Sequence, residues 1–109
     1  MRLTEKERKI IEDFKKRIEE KFPGEIINVL VFGSKARGDA TEESDIDIIV
    51  VTSSDDWRKG DKIREIGYKL DEEIGYTLSI QVISQAHINY LRNNNFQFIK
   101  NIEQEGIII

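Results

Sequence analysis

The sequence predicts a small α/β (α+β) domain in which a sheet is flanked by helices, in the order α-β-β-α-β-α-α. Two kinds of segment alternate along its 109 residues. Short apolar, β-branched runs predict strands, and segments whose apolar residues recur every three or four positions predict helices. This length is typical of one domain, so we expect residues 1–109 to form a single domain.

The first half of the chain predicts one helix and two strands. A capping box at Thr4 and Glu7 begins the helix, and its apolar stripe continues until Pro23. Strands are predicted at residues 26–32 and 46–51. The first of these is almost wholly apolar, so we expect it to be buried on both faces.

The second half predicts three helices around one more strand. Polar residues 53–56 cap a long helix that ends at Gly75, and Ser84 caps a short one. A last helix ends at Gly106. The apolar residues 107–109 are then expected to form an edge strand.

The third strand is predicted at residues 76–83. Its alternation places the apolar side chains on the core face and leaves Ser79 and Gln81 on the opposite face.

Composition narrows the class of protein. The net charge of −4 argues against binding along a nucleic-acid backbone, because such binding relies on a basic surface. The chain has no cysteine, so it carries neither disulfides nor thiolate metal sites. It shows no apolar stretch of membrane-spanning length and no signal-peptide core. We therefore expect a cytoplasmic protein.

Two aspartates open the second strand. Asp45 and Asp47 are separated by one residue, so along a strand their side chains project to the same face. Two such carboxylates repel one another unless a cation lies between them, and Mg²⁺ (or Mn²⁺) prefers oxygen ligands of this kind. A carboxylate between Ile46 and Ile48 is also unfavourable in a strand without a partner. The pair is the candidate catalytic and metal-binding set.

A glycine-serine turn closes the strand before it. Backbone N–H groups at Gly33 and Ser34, at the start of a short predicted helix, are suited to bind an anion. Arg37 lies within reach, and its forked guanidinium suits phosphate oxygens. Gly33, Ser34 and Arg37 are the candidate phosphate-binding residues. Phosphate on one side and a divalent metal on the other describe a nucleoside triphosphate site.

The segment from Gly33 to Gly38, followed by Ser44-Asp45-Ile46-Asp47-Ile48, resembles the signature of the DNA polymerase beta-like nucleotidyltransferase superfamily. The short length is similar to its minimal nucleotidyltransferases. The resemblance implies a mixed sheet, Mg²⁺-dependent use of a nucleoside triphosphate (ATP first), and transfer of a nucleoside monophosphate to a hydroxyl. It also implies a small helical HEPN-type partner, as in toxin–antitoxin pairs, whose tyrosine could be the acceptor.

One departure from the family pattern leaves two functions open. Active members carry a third carboxylate on the next strand, where this chain has Ser79 and Gln81, and residues 77–83 contain no acid. That carboxylate helps to hold the catalytic metal and to activate the attacking hydroxyl. The chain is therefore either a nucleotidyltransferase with an incomplete triad or a degenerate nucleotide-binding antitoxin module.

Two other classes fit the sequence less well. Haloacid-dehalogenase-type phosphatases also use paired aspartates, but there the apolar strand precedes the acids, whereas here it follows them. Aminoglycoside-modifying transferases usually need a further helical domain, which is not seen in these 109 residues.

Overall fold

The computed structural model describes residues 3–33, 36, 45–75 and 77–109. The elements in these ranges are α1 (Glu5–Lys21), β1 (Ile26–Phe32), β2 (Ile46–Thr52), α2 (Trp57–Ile74), β3 (Leu78–Ser84), α3 (Gln85–Asn93), α4 (Gln97–Glu105) and β4 (Ile107–Ile108). This order confirms the predicted one, including the short strand at the end.

The sheet is mixed, with the strand order β3-β2-β1-β4. β1 runs antiparallel to both β2 and β4, while β2 and β3 are parallel. A parallel pair needs a crossover connection, and α2 supplies it. The sheet therefore places the start of β2 beside both the end of β1 and the start of β3.

Most of the core lies between one face of the sheet and helices α1 and α2. The apolar residues buried there include Phe14, Ile18, Ile48, Val50, Ile63 and Leu70. A smaller cluster on the other face joins β2 to α4 and contains Ile49, Val51, Ile99 and Ile102. Alternate residues of β2 thus point into two separate apolar layers.

The helices begin at the caps that the sequence indicated, and their ends lie within two residues of those it predicted. The Thr4 hydroxyl accepts from Glu7 N at 3.1 Å, and Glu7 Oε1 accepts from Thr4 N at 2.8 Å. Asp56 caps α2 by accepting from Arg58 N at 3.0 Å, and Gly75 ends it with a φ of 73°. No helix in the described part of the chain combines the length and apolar character needed to cross a bilayer.

The expectation that β1 is buried on both faces is wrong. Val29 and Val31 are fully buried on one face, but Leu30 on the other face is only partly buried. Helix α4 and the two-residue β4 shield only part of that face. Ile27, at a register irregularity between Ile26 and Asn28, is 42% exposed. An apolar run alone does not reveal how much of a sheet face the rest of the chain covers.

Candidate active site

Asp47 lies where three parts of the sheet meet. Its antiparallel neighbour is Phe32, the last residue of β1, and its parallel neighbour is Ser79 on β3. Neighbouring residues in a sheet point their side chains to the same face, so these residues share the face of the smaller cluster. The register brings the glycine turn and Asp47 together, with Asp45 two residues before it in the chain.

Gly33 follows Phe32 with a φ of +73° and lies directly against the carboxylate of Asp47. A Cβ added to Gly33 would stand 2.5 Å from Asp47 Oδ2. A side chain at this position would therefore strain the backbone and force the Asp47 carboxylate or the turn to move. The Phe32 ring beneath the turn makes an edge-to-face contact with Phe98 of α4, with ring centroids 6.4 Å apart.

Ser79 and Gln81 occupy the face that the sequence assigned to them. Ser79 is half-buried beside Asp47, whereas Gln81 is exposed and pairs with Ile49 further along the strand. Between Leu78 and Ser84 the face beside Asp47 offers a hydroxyl and an amide but no carboxylate.

Two predicted phosphate-binding residues, Ser34 and Arg37, lie outside the described residues. Ala36, between them, is helical and 2% exposed, and it belongs to the main core. The described part of the candidate site therefore comprises Gly33, Asp45 and Asp47.

Sequence reasoning missed Asp71, near the end of α2. Its Oδ1 accepts a hydrogen bond from Leu78 N at 3.0 Å. Burial and, to a lesser degree, the nearby Asp45 carboxylate raise the pKa of Asp71, while the Leu78 N–H group opposes that rise. The sequence did contain one indication of Asp71. An acid in the last turn of a helix interacts unfavourably with the helix dipole, so its presence there is unusual.

The donor set fits a hard divalent cation. Asp45 is exposed and Asp47 is half-buried, so both carboxylates supply oxygen ligands at the molecular surface. Among the described residues, no three His, Cys, Asp or Glu side chains gather as a metal cage. Mg²⁺ typically binds through one or two carboxylates, with waters and substrate phosphates completing its shell, so two aspartates suffice.

Two clefts lie on the α4 side of the sheet. A cleft of about 220 Å³ adjoins the turn and is lined by Phe32, Gly33, Phe98, Asn101, Ile102 and Glu105. A groove of about 360 Å³ lies further along β2, and its lining includes Ile49, Val51, Ile88 and Ile99 but neither aspartate. The smaller cleft is the one that borders the candidate site.

Comparison with known proteins identifies related sequences. The family model described as a nucleotidyltransferase domain matches residues 11–109. The protein MJ0604 of Methanocaldococcus jannaschii, provisionally named a protein adenylyltransferase, is 35% identical over 103 residues. The alignment covers 94% of this chain and 97% of that relative.

Solved structures share the fold. A provisionally assigned nucleotidyltransferase from Sulfolobus solfataricus aligns with a TM-score of 0.60 at 19% identity, over 92% of this chain and 76% of the other. A toxin–antitoxin structure with AMP-PNP aligns with a TM-score of 0.53 at 18% identity, over 89% and 70% of the two chains. At these identities the likeness establishes the architecture.

Proposed function

Because the chain belongs to the nucleotidyltransferase domain family, we propose that it transfers a nucleoside monophosphate from Mg²⁺-bound ATP to a hydroxyl group. The observation that carries this proposal is the contact between Gly33 and Asp47. A turn that leaves no room for a side chain beside a carboxylate lets backbone N–H groups and a metal ligand face the same phosphates.

Each candidate residue has a distinct role in this proposal. The backbone at Gly33 and Ser34 binds the phosphates, and the Arg37 guanidinium neutralises part of their charge. Asp45 and Asp47 hold Mg²⁺, or Mn²⁺ in its place. When bound, the cation offsets phosphate charge and orients the triphosphate.

The reaction is a displacement at the α-phosphorus. The acceptor oxygen forms a bond to that phosphorus, the bond to the bridging oxygen breaks, and pyrophosphate leaves with the electron pair. The hydroxyl proton passes to water or to a carboxylate of the partner, since the residue of β3 that pairs with Asp47 is Ser79. Positioning and charge neutralisation thus account for most of the catalysis expected here.

The acceptor that fits best is a tyrosine hydroxyl on a small helical HEPN-type partner. Support comes from the relative named as a protein adenylyltransferase and from the fold shared with a toxin–antitoxin structure. The exposed rings of Tyr90, at 57%, and Phe96, at 46%, also suit a protein contact. The Tyr90 ring lies beside the His87 ring of α3 on one side and beside the Phe96 ring, just before α4, on the other.

A second candidate function is a nucleotide-binding antitoxin module without turnover. The observation in its favour is Ser79, which leaves the position beside Asp47 without a third carboxylate. Such a module would bind Mg²⁺-ATP and its partner but transfer nothing.

Label transfer from α-labelled ATP to the co-expressed helical partner distinguishes these functions. We expect labelled partner with the wild-type chain, in Mg²⁺ or Mn²⁺, and none with Asp45→Asn/Asp47→Asn. Equal labelling by both chains would contradict the site. If the wild-type chain binds ATP but neither chain labels the partner, the antitoxin module is favoured.

A further inference from the structure

Three acids lie in the last turn of α2, where the helix dipole disfavours negative charge. The negative charge of Glu73 is compensated by an ion pair with Arg17, whose Nη2 lies 3.2 Å from Glu73 Oε2. Glu72 is exposed to solvent. Asp71 is half-buried and turns to the backbone instead, where it accepts from Leu78 N at 3.0 Å.

That hydrogen bond ties α2 to the first residue of β3. Leu78 pairs with Ile46, and the next pair along the two strands is Ser79 with Asp47. A second bond, from Ile46 N to the Thr77 carbonyl at 3.0 Å, joins the same strand ends. The contact made by Asp71 therefore lies one residue from the pair of Ser79 and Asp47, which contains a candidate metal ligand.

We propose that Asp71 is a positioning residue of this site, which holds the start of β3 against the aspartate-bearing strand and adds negative charge near Asp45. The inference rests on the proposed function, because it assigns Asp71 a role in metal and nucleotide binding.

The ionised form of Asp71 is destabilised by its surroundings in the free protein. Burial and the Asp45 carboxylate both disfavour its ionised form and raise its pKa. Within the described residues, no lysine or arginine forms an ion pair with it. A divalent cation bound at Asp45 would relieve this repulsion, so the same charge that opposes Asp45 in the free protein favours the metal.

Two substitutions separate the hydrogen bond from the charge. Asp71→Asn keeps an oxygen that can accept from Leu78 N and removes only the charge, whereas Asp71→Ala removes both. Glu72→Gln is the matched control, because it removes an equal charge from the neighbouring exposed position. The readouts are Leu78 amide exchange by NMR, and affinity for Mn²⁺ alone from its relaxation effect on nearby amide signals.

We expect Asp71→Asn to keep Leu78 protected and to weaken Mn²⁺ binding by about two- to five-fold, the effect of one nearby, partly screened charge. Asp71→Ala should expose the Leu78 amide to exchange and weaken Mn²⁺ binding further. Glu72→Gln should leave both readouts unchanged.

Unchanged Mn²⁺ affinity in Asp71→Asn, an equal loss in Glu72→Gln, or a protected Leu78 amide in Asp71→Ala would each overturn the proposal. A wild-type chain that binds no Mn²⁺ would overturn it as well. If the wild type binds Mn²⁺ but transfers no nucleotide, the proposed function alone fails.

Discussion

Gly33 and Asp47 occupy adjoining space so closely that a Cβ on the glycine would lie 2.5 Å from Oδ2 of the aspartate. The glycine also has a φ of +73°, which L-residues with a side chain rarely adopt. A side chain at residue 33 would therefore disturb the arrangement in which the turn and the carboxylate face a common ligand.

Gly33→Ala should reduce Mg²⁺-ATP affinity, because the added methyl must displace Asp47 or the turn. It should also cost about 1–2 kcal/mol of stability for the left-handed backbone. Gly24→Ala is the control, since Gly24 has a φ of +75° and nothing within 4 Å of its would-be Cβ. In urea unfolding, the two variants should lose a similar free energy of unfolding through the strained backbone. If Gly33→Ala also binds nucleotide as Gly24→Ala does, the turn has only a structural role.

Ser79→Asp should raise label transfer, because it places a third carboxylate beside Asp47. Help from a general base is typically worth about 10²–10⁴-fold, so even partial restoration is measurable. Gln81→Asp is the control, since position 81 pairs with Ile49 instead. Two results would count against the claim that position 79 lies beside the metal ligands. One is an equal gain in label transfer from the two substitutions. The other is no gain from Ser79→Asp although nucleotide still binds.

Two glycines of α2 should respond to alanine in opposite directions. At Gly67 a Cβ would collide with Ile80 Cδ1 and come within 3.3 Å of Phe14 Cε1, so Gly67→Ala should destabilise the fold by about 1–3 kcal/mol. At Gly60 the nearest atoms are 3.5 Å away, and Gly60→Ala should stabilise by about 0.5–1 kcal/mol through helix propensity. Urea denaturation of both variants measures the difference, and a stabilised Gly67→Ala would show that α2 packs less tightly on β3.

Asp56 should make stability depend on acid pH. Its hydrogen bonds from the Arg58 backbone and side chain lower its pKa below the ordinary 3.8. A lowered pKa means that the folded state favours the charged form, so this stabilisation is complete above pH 3.8 and is lost as the pH falls through the lowered pKa. Unfolding curves between pH 7 and pH 2.5 should therefore converge for the wild type and Asp56→Asn at the acid end. A constant difference between the two would show that the charge of the cap does not contribute.

Much of the fold was readable because local signals agreed with one another. The capping box at Thr4, the cap at Asp56 and the glycine at 75 bounded the helices correctly. Alternation in β3 assigned Ser79 and Gln81 to their face, and the register then placed Ser79 beside Asp47. These features depend on residues close together in the sequence.

The remaining features depend on packing between distant segments. Ile27 is 42% exposed where the pairing of β1 with β2 shifts register, which the apolar run of β1 does not encode. The bond from Leu78 N to Asp71 links a helix end to a strand start across Gly75, and only the folded chain brings the two together. The fit of Gly33 against Asp47 likewise needs the register of two strands.

The central claim is that Asp45 and Asp47 hold the metal that accompanies a nucleotide, and calorimetric titration of Mg²⁺-ATP tests it most directly. Asp45→Asn/Asp47→Asn should weaken binding by at least about tenfold, because it removes both carboxylate ligands. Its melting temperature should equal or exceed that of the wild type, since the like-charge repulsion is relieved. Equal Mg²⁺-ATP affinity in the folded variant and the wild type would contradict the account.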